Sequence, residues 1–175
     1  VHMFDAAQLK KLMTFVQDAQ AQYKVPGLAI GIVQEGKLIF EQGFGLQVLG
    51  KKEKITPQTL FMIGSTTKAL TTFMMACLVD EGAFTWDTPV SQVMPDFVLG
   101  DEATTRKLLM KHLVSASTGI PRQDMELLFN YNQATPELRV KEMKKMKPTT
   151  GFGETFQYSN SMVSAGGYVA AHSLY

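Results

Sequence analysis

Phe61-Met62-Ile63-Gly64-Ser65-Thr66-Thr67-Lys68-Ala69-Leu70 decides the reading of this 175-residue chain, because a serine and a lysine stand three apart where a helix begins. Residues at that spacing share a helix face, so Ser65 Oγ and the Lys68 amine can meet. A helix N-terminus supplies unpaired N–H groups and a partial positive charge, both suited to a serine that must become an oxyanion. The same positive end, together with burial, disfavours a protonated lysine and brings Lys68 towards the range of a general base. Behind this start, Leu70, Phe73, Met74, Cys77 and Leu78 form one apolar stripe, and Gly82 is a natural stop. The stripe predicts a buried packing role for Cys77, and a single cysteine excludes an intrachain disulfide. By itself an S-x-x-K string is a weak signal in a chain with this many serines and lysines. Ser65 as an N-cap and Lys68 as a solvated first-turn lysine is the blander explanation, and it stays open at this point.

Towards the C-terminus, Tyr158-Ser159-Asn160 precedes a last helix predicted from about Ser159 to Ser173. A phenol beside an ammonium group favours its phenolate and can exchange a proton with a serine or a leaving group. The Asn160 amide offers both a donor and an acceptor, useful for holding a substrate amide or orienting a lysine. The alternative is a tyrosine packed on the core, followed by Ser159 or Asn160 as N-cap.

Towards the N-terminus, residues 4 to 22 read as an amphipathic helix, with Leu9, Leu12, Met13 and Val16 at three- and four-residue spacing. Pro26-Gly27 breaks it. Strand-like runs follow at Leu28–Val33 and Leu38–Gly45, joined by a tight turn at Glu35-Gly36. Further short helices are predicted near Val90–Met94, from about Thr105 to Val114, and over Glu137–Lys147. Two strands among many helices make an unbalanced account, since an isolated hairpin is marginal and needs more strands or a helix to cover it.

The hydrophobic fraction of 45% is enough for a buried core, so disorder is not the expectation. A net charge of +1 with interspersed signs gives no electrostatic case for nucleic acid or an anionic membrane. The basic run Lys141–Lys147 reads as the solvated face of a helix. His2, His112 and His172 lie too far apart for a metal motif, and no apolar run approaches the ~20 residues of a membrane span. Val1-His2-Met3 has the look of an appended start, which leaves an export signal open.

Taken together, S-x-x-K and Tyr-x-Asn in this order resemble the serine β-lactamase and penicillin-binding-protein superfamily, and Tyr-x-Asn points to its class C-like branch. That branch also holds D-alanyl-peptide hydrolases, D-aminopeptidases and esterases. Further stretches are similar to the family: Val25-Pro26-Gly27-Leu28-Ala29-Ile30-Gly31-Ile32-Val33, Trp86-Asp87-Thr88-Pro89-Val90, His112-Leu113-Val114-Ser115-Ala116-Ser117-Thr118-Gly119-Ile120-Pro121, and Phe156-Gln157-Tyr158-Ser159-Asn160. The resemblance implies an α+β fold with a helical lobe over about 58–175 and an incomplete α/β lobe over 1–57, the C-terminal strands of its sheet lying outside this chain.

The resemblance also implies catalytic roles. Ser65 becomes an acyl-enzyme, Lys68 helps deprotonate it, and Tyr158 shuttles protons to the leaving group and from water. Asn160 binds Lys68 or the substrate amide, and the Ser65 N–H forms half of an oxyanion hole. No metal or other cofactor is implied, and the substrate is a β-lactam, a D-amino-acid peptide or an ester. The rivals are a slow-deacylating penicillin-binding protein, a non-catalytic sensor domain and an inactive fragment. Two departures stand out. Ala116 occupies a position where the family commonly has histidine, with an expected consequence for packing. The third family motif, on an inner strand, lies beyond Tyr175; losing its oxyanion donor would cost about 10²–10³-fold in rate. An unpaired hairpin edge predicts a missing C-terminal part or a second copy as its cover. The family implies a periplasmic or secreted location.

Overall fold

The computed structural model describes residues 4–124 and 135–175, so the appended-looking first three residues lie outside the described part. The chain forms two compact units, 1–62 and 63–175.

In the first unit, α1 spans Ala6–Gln22. Asp5 caps it reciprocally: Gln8 N–H donates to Asp5 Oδ1 at 2.7 Å, and Asp5 N–H donates to Gln8 Oε1 at 2.9 Å. Strands β1 (Gly27–Gln34) and β2 (Lys37–Gly45) pair antiparallel, from Gly27 opposite Gly45 to Gln34 opposite Lys37, with an irregularity at Ile32/Val33. Glu35 and Gly36 both have positive φ, as a two-residue turn matched to strand twist requires. This hairpin is the sheet of the described residues. Its core is thin: Val16, Phe44 and Ile55 are the buried apolar side chains of this unit among the described residues.

In the second unit, a single 3₁₀ turn at Gly64–Thr66 leads into α2 (Thr67–Asp80). Short helices α3 (Val90–Val93) and α4 (Glu102–Lys107), a 3₁₀ turn at Met110–Leu113, α5 (Pro136–Glu142) and α6 (Asn160–His172) follow. The helix expected over Thr105–Val114 is interrupted. Leu108 is extended and its carbonyl accepts from Val90 N–H at 3.0 Å, while Leu109 pairs with Pro89. That tertiary pairing outbids helical continuation. Met75, Leu78, Val90, Phe97, Leu108, Met110, Leu113, Ile120, Met143, Met162 and Val169 make one buried core.

Helix α2 departs from its expected orientation. Met75 and Leu78 are buried, whereas Leu70, Phe73 and Met74 are exposed and Cys77 is half-buried. The helix is apolar on two sides, and the side turned to α6 is the one used. Close approach makes this choice possible: a Cβ on Gly167 would lie 3.1 Å from Thr71 Cγ2, and one on Gly166 3.2 Å from Leu113 Cβ. Lys141, Lys144, Lys145 and Lys147 are exposed, with Met143 and Met146 buried between them, matching the solvated face read from the sequence. No described helix is long and apolar enough to cross a membrane.

Candidate active site

Ser65 lies in the 3₁₀ turn ahead of α2, and Gly64 before it has φ +52, a conformation that favours glycine. The turn's N-cap position is Ile63 and has no side-chain capping bond, so the Ser65 hydroxyl is not a cap. Instead Ser65 Oγ sits 2.5 Å from Tyr158 Oη and accepts a hydrogen bond from Lys68 Nζ at 3.0 Å. Ser65 is exposed, while Lys68 and Tyr158 are half-buried. Ser65 is thus the most solvent-accessible member of the trio.

The segment carrying Tyr158 is held on both sides. Gln157 N–H donates to Ala116 O at 2.7 Å, and its side-chain amide bridges Thr149 Oγ1 at 2.8 Å and Thr150 Oγ1 at 3.0 Å. Ser159 is buried and caps α6, with its Oγ accepting from Met162 N–H at 3.4 Å. The capping role weighed for this tripeptide therefore falls to Ser159, and Tyr158 and Asn160 on either side have other partners. Ala116 has φ +54, costly for a residue with a Cβ; histidine and asparagine tolerate this region better. The consequence at this position is one of backbone conformation.

Asn160 is half-buried, and its Nδ2 donates to Asp124 Oδ1 at 2.7 Å. Asp124 also pairs with Arg122 Nε. Arg122 and Asp124 escaped the sequence reading. They follow the quoted stretch ending at Pro121, and two charges in a turn look like ordinary solvated surface. The Arg122 guanidinium lies 5.4 Å from the Tyr158 ring centroid and Lys68 Nζ lies 4.8 Å from it. Tyr158 ionises below the ordinary tyrosine range. Bonding by Lys68 is the main cause and by Ser65 the next, the charges of Lys68 and Arg122 add to it, and burial opposes it. Asp124 is likewise held below the usual carboxylate range, first by Arg122 and then by Asn160.

His112 has a structural role: its Nδ1 accepts from Leu109 N–H at 3.0 Å and its ring meets Phe152 edge-on at 4.8 Å. Among the described residues no cluster of three or more His, Cys, Asp or Glu side chains is arranged to hold a metal ion. A separate cavity of about 470 Å³, between Thr71, Val140, Met143, Met146 and Tyr168, contains none of the four candidate residues.

A family model described as Beta-lactamase matches residues 12–173. Unguisins hydrolase ungD' of Aspergillus campestris (strain IBT 28561) is 32% identical over 161 residues, which cover 88% of this chain and 30% of that protein. Protein flp of Staphylococcus aureus (strain NCTC 8325 / PS 47) is 30% identical over 157 residues, 86% of this chain and 30% of that one. The octameric penicillin-binding protein homologue from Pyrococcus abyssi superposes with a TM-score of 0.80 at 28% identity, over 95% of this chain and 39% of its own. The chain spans about 30% of the length of these curated relatives.

Proposed function

This chain belongs to the β-lactamase family and has its α+β fold, and on that premise we propose that it carries the acylation site of a serine hydrolase acting on an amide or ester. The observation that carries the reading is the contact of Ser65 Oγ with both Tyr158 Oη and Lys68 Nζ. A serine hydroxyl is a weak nucleophile at its own pKa and needs an adjacent base. Here a phenol with lowered pKa and an amine both lie within hydrogen-bond reach.

In acylation Ser65 Oγ loses its proton to the Tyr158–Lys68 pair and forms a bond to the substrate carbonyl carbon. The tetrahedral intermediate collapses as the C–N or C–O bond breaks, and the leaving group takes the proton back through Tyr158. In deacylation water gives a proton to the same pair and attacks the ester carbonyl. The bond from carbon to Ser65 Oγ breaks, the acid departs and the pair returns the proton to Ser65 Oγ. Ser65 belongs to the opening turn, and the leading N–H groups of a helix suit a developing oxyanion. Asn160 is the proposed substrate-amide contact. The relatives named hydrolase and penicillin-binding protein homologue support this class. The substrate class proposed is a β-lactam, a D-amino-acid peptide or an ester.

Intact-protein mass after incubation with a penicillin and, separately, an activated phenyl ester tests the reading. The expected result is a stoichiometric adduct that disappears in Ser65→Ala. No adduct from either reagent would sink it.

A further inference from the structure

We propose that Arg122 and Asp124 are positioning residues: Asp124 fixes which way the Asn160 amide faces and pins Arg122 against the ring of Tyr158. This inference rests on the reading of Ser65, Lys68 and Tyr158 as the acylation machinery. A carboxylate only accepts hydrogen bonds. Asp124 therefore takes the Nδ2 side of Asn160, at 2.7 Å, and leaves the Asn160 carbonyl oxygen for a donor such as a substrate N–H or Lys68. The other carboxylate oxygen, Oδ2, takes Arg122 Nε. One acid thus holds an amide and a guanidinium at once, and the guanidinium lies 5.4 Å from the Tyr158 ring centroid.

Tyr158 is flanked by two cations, Lys68 at 4.8 Å and Arg122 at 5.4 Å, with Asp124 bound to Arg122. Both cations favour the phenolate, and Lys68 also reaches Asp124 electrostatically. The segment bearing Arg122 and Asp124 is anchored just upstream. Ile120 is fully buried, and Gly119 O accepts from Thr149 N–H at 2.9 Å. Thr149 is also a partner of the Gln157 side chain beside Tyr158, so both halves of the arrangement share one support.

The test titrates the tyrosines by tyrosinate absorbance in the 175-residue chain, with Tyr158→Phe subtracted to isolate Tyr158 from the other four. Arg122→Gln is expected to move the Tyr158 ionisation to higher pH, and the acylation pH profile with it; Arg122→Lys restores part of the shift. Asp124→Ala is expected to lower acylation about 10- to 100-fold, the scale for losing the alignment of a positioned group. Asp124→Asn, which keeps one acceptor oxygen, falls between Ala and the parent. Thermal melts of the four variants separate misfolding from loss of positioning, with Asp124→Asn and Arg122→Lys read if Ala or Gln unfolds. An unmoved Tyr158 ionisation in Arg122→Gln overturns the Arg122 half of the proposal. Acylation within twofold of the parent in Asp124→Ala overturns the other half. The titration needs no substrate, so a chain that is never acylated refutes the proposed function while the absorbance still decides the Arg122 half. The Asp124 half is then decided by the Asn160 side-chain amide NMR resonance, which shifts in Asp124→Ala if Asp124 holds it and stays unmoved if it does not.

Discussion

The two sides of α2 that carry apolar residues meet opposite fates. Met75 is fully buried against α6, while Phe73, two residues earlier, is 69% exposed. The buried side runs from Lys68 through Thr71 to Met75 and Leu78, so the residues that pack the helix continue the line of the residue that approaches Ser65. Core packing and site geometry are therefore the same structural fact on that side. On the other side, Leu70, Phe73 and Met74 contribute apolar surface without fixing anything in the described residues.

The strongest way to break this comparison is at the site end of the buried side. Tyr158→Phe is expected to lower acylation about 10²- to 10⁴-fold, the usual worth of a positioned proton-transfer group. In the parent, acylation should rise with pH as the phenolate accumulates, along a limb below the ordinary tyrosine range because the Tyr158 pKa is lowered. That limb should vanish in Tyr158→Phe. A profile identical in shape would remove Tyr158 from the proton transfer.

Further along the same side, Met75→Ala should cost about 2–5 kcal/mol in denaturant unfolding, since it empties a fully buried site. Its counterpart on the open side, Phe73→Gln, should stay within about 0.5 kcal/mol. Equal losses at the two positions would show that the open side is covered in solution. Between these in size, Ala116→Asn should gain about 0.5–1 kcal/mol, because asparagine tolerates the left-handed backbone that alanine occupies there. A loss instead would mean that the Ala116 side chain packs where asparagine cannot fit.

Much of the fold was legible because local chemistry wrote it. The amphipathic period over 4–22 became α1, the runs after Pro26-Gly27 became the two strands, and Glu35-Gly36 made the tight turn between them. The S-x-x-K and Tyr-x-Asn pairs pointed to residues 93 apart in sequence, and Ser65 and Tyr158 do meet at 2.5 Å. Less legible were features that depend on a distant partner. The apolar period of α2 reports that the helix has an apolar side, but a helix apolar on two sides carries no local mark of which one is buried. The interruption at Leu108 was hidden for the same reason, since its cause is a bond from Val90. Arg122 and Asp124 carry no period at all, and their meaning appears once Asn160 and Tyr158 are beside them.

What the sequence by itself determined was the family, the placement of Ser65 and Lys68 one turn apart, and a few local punctuation marks: the break at Pro26-Gly27, the turn at Glu35-Gly36 and the stop at Gly82. Those follow from interactions within a few residues, where spacing and side-chain chemistry are enough. Only the tertiary structure decided that Asn160 is bound by Asp124, that Tyr158 lies between two cations, and which side of α2 enters the core. Each of those depends on elements far apart in the chain. The deciding terms there are burial and electrostatic contact, which exist only once the helices have packed.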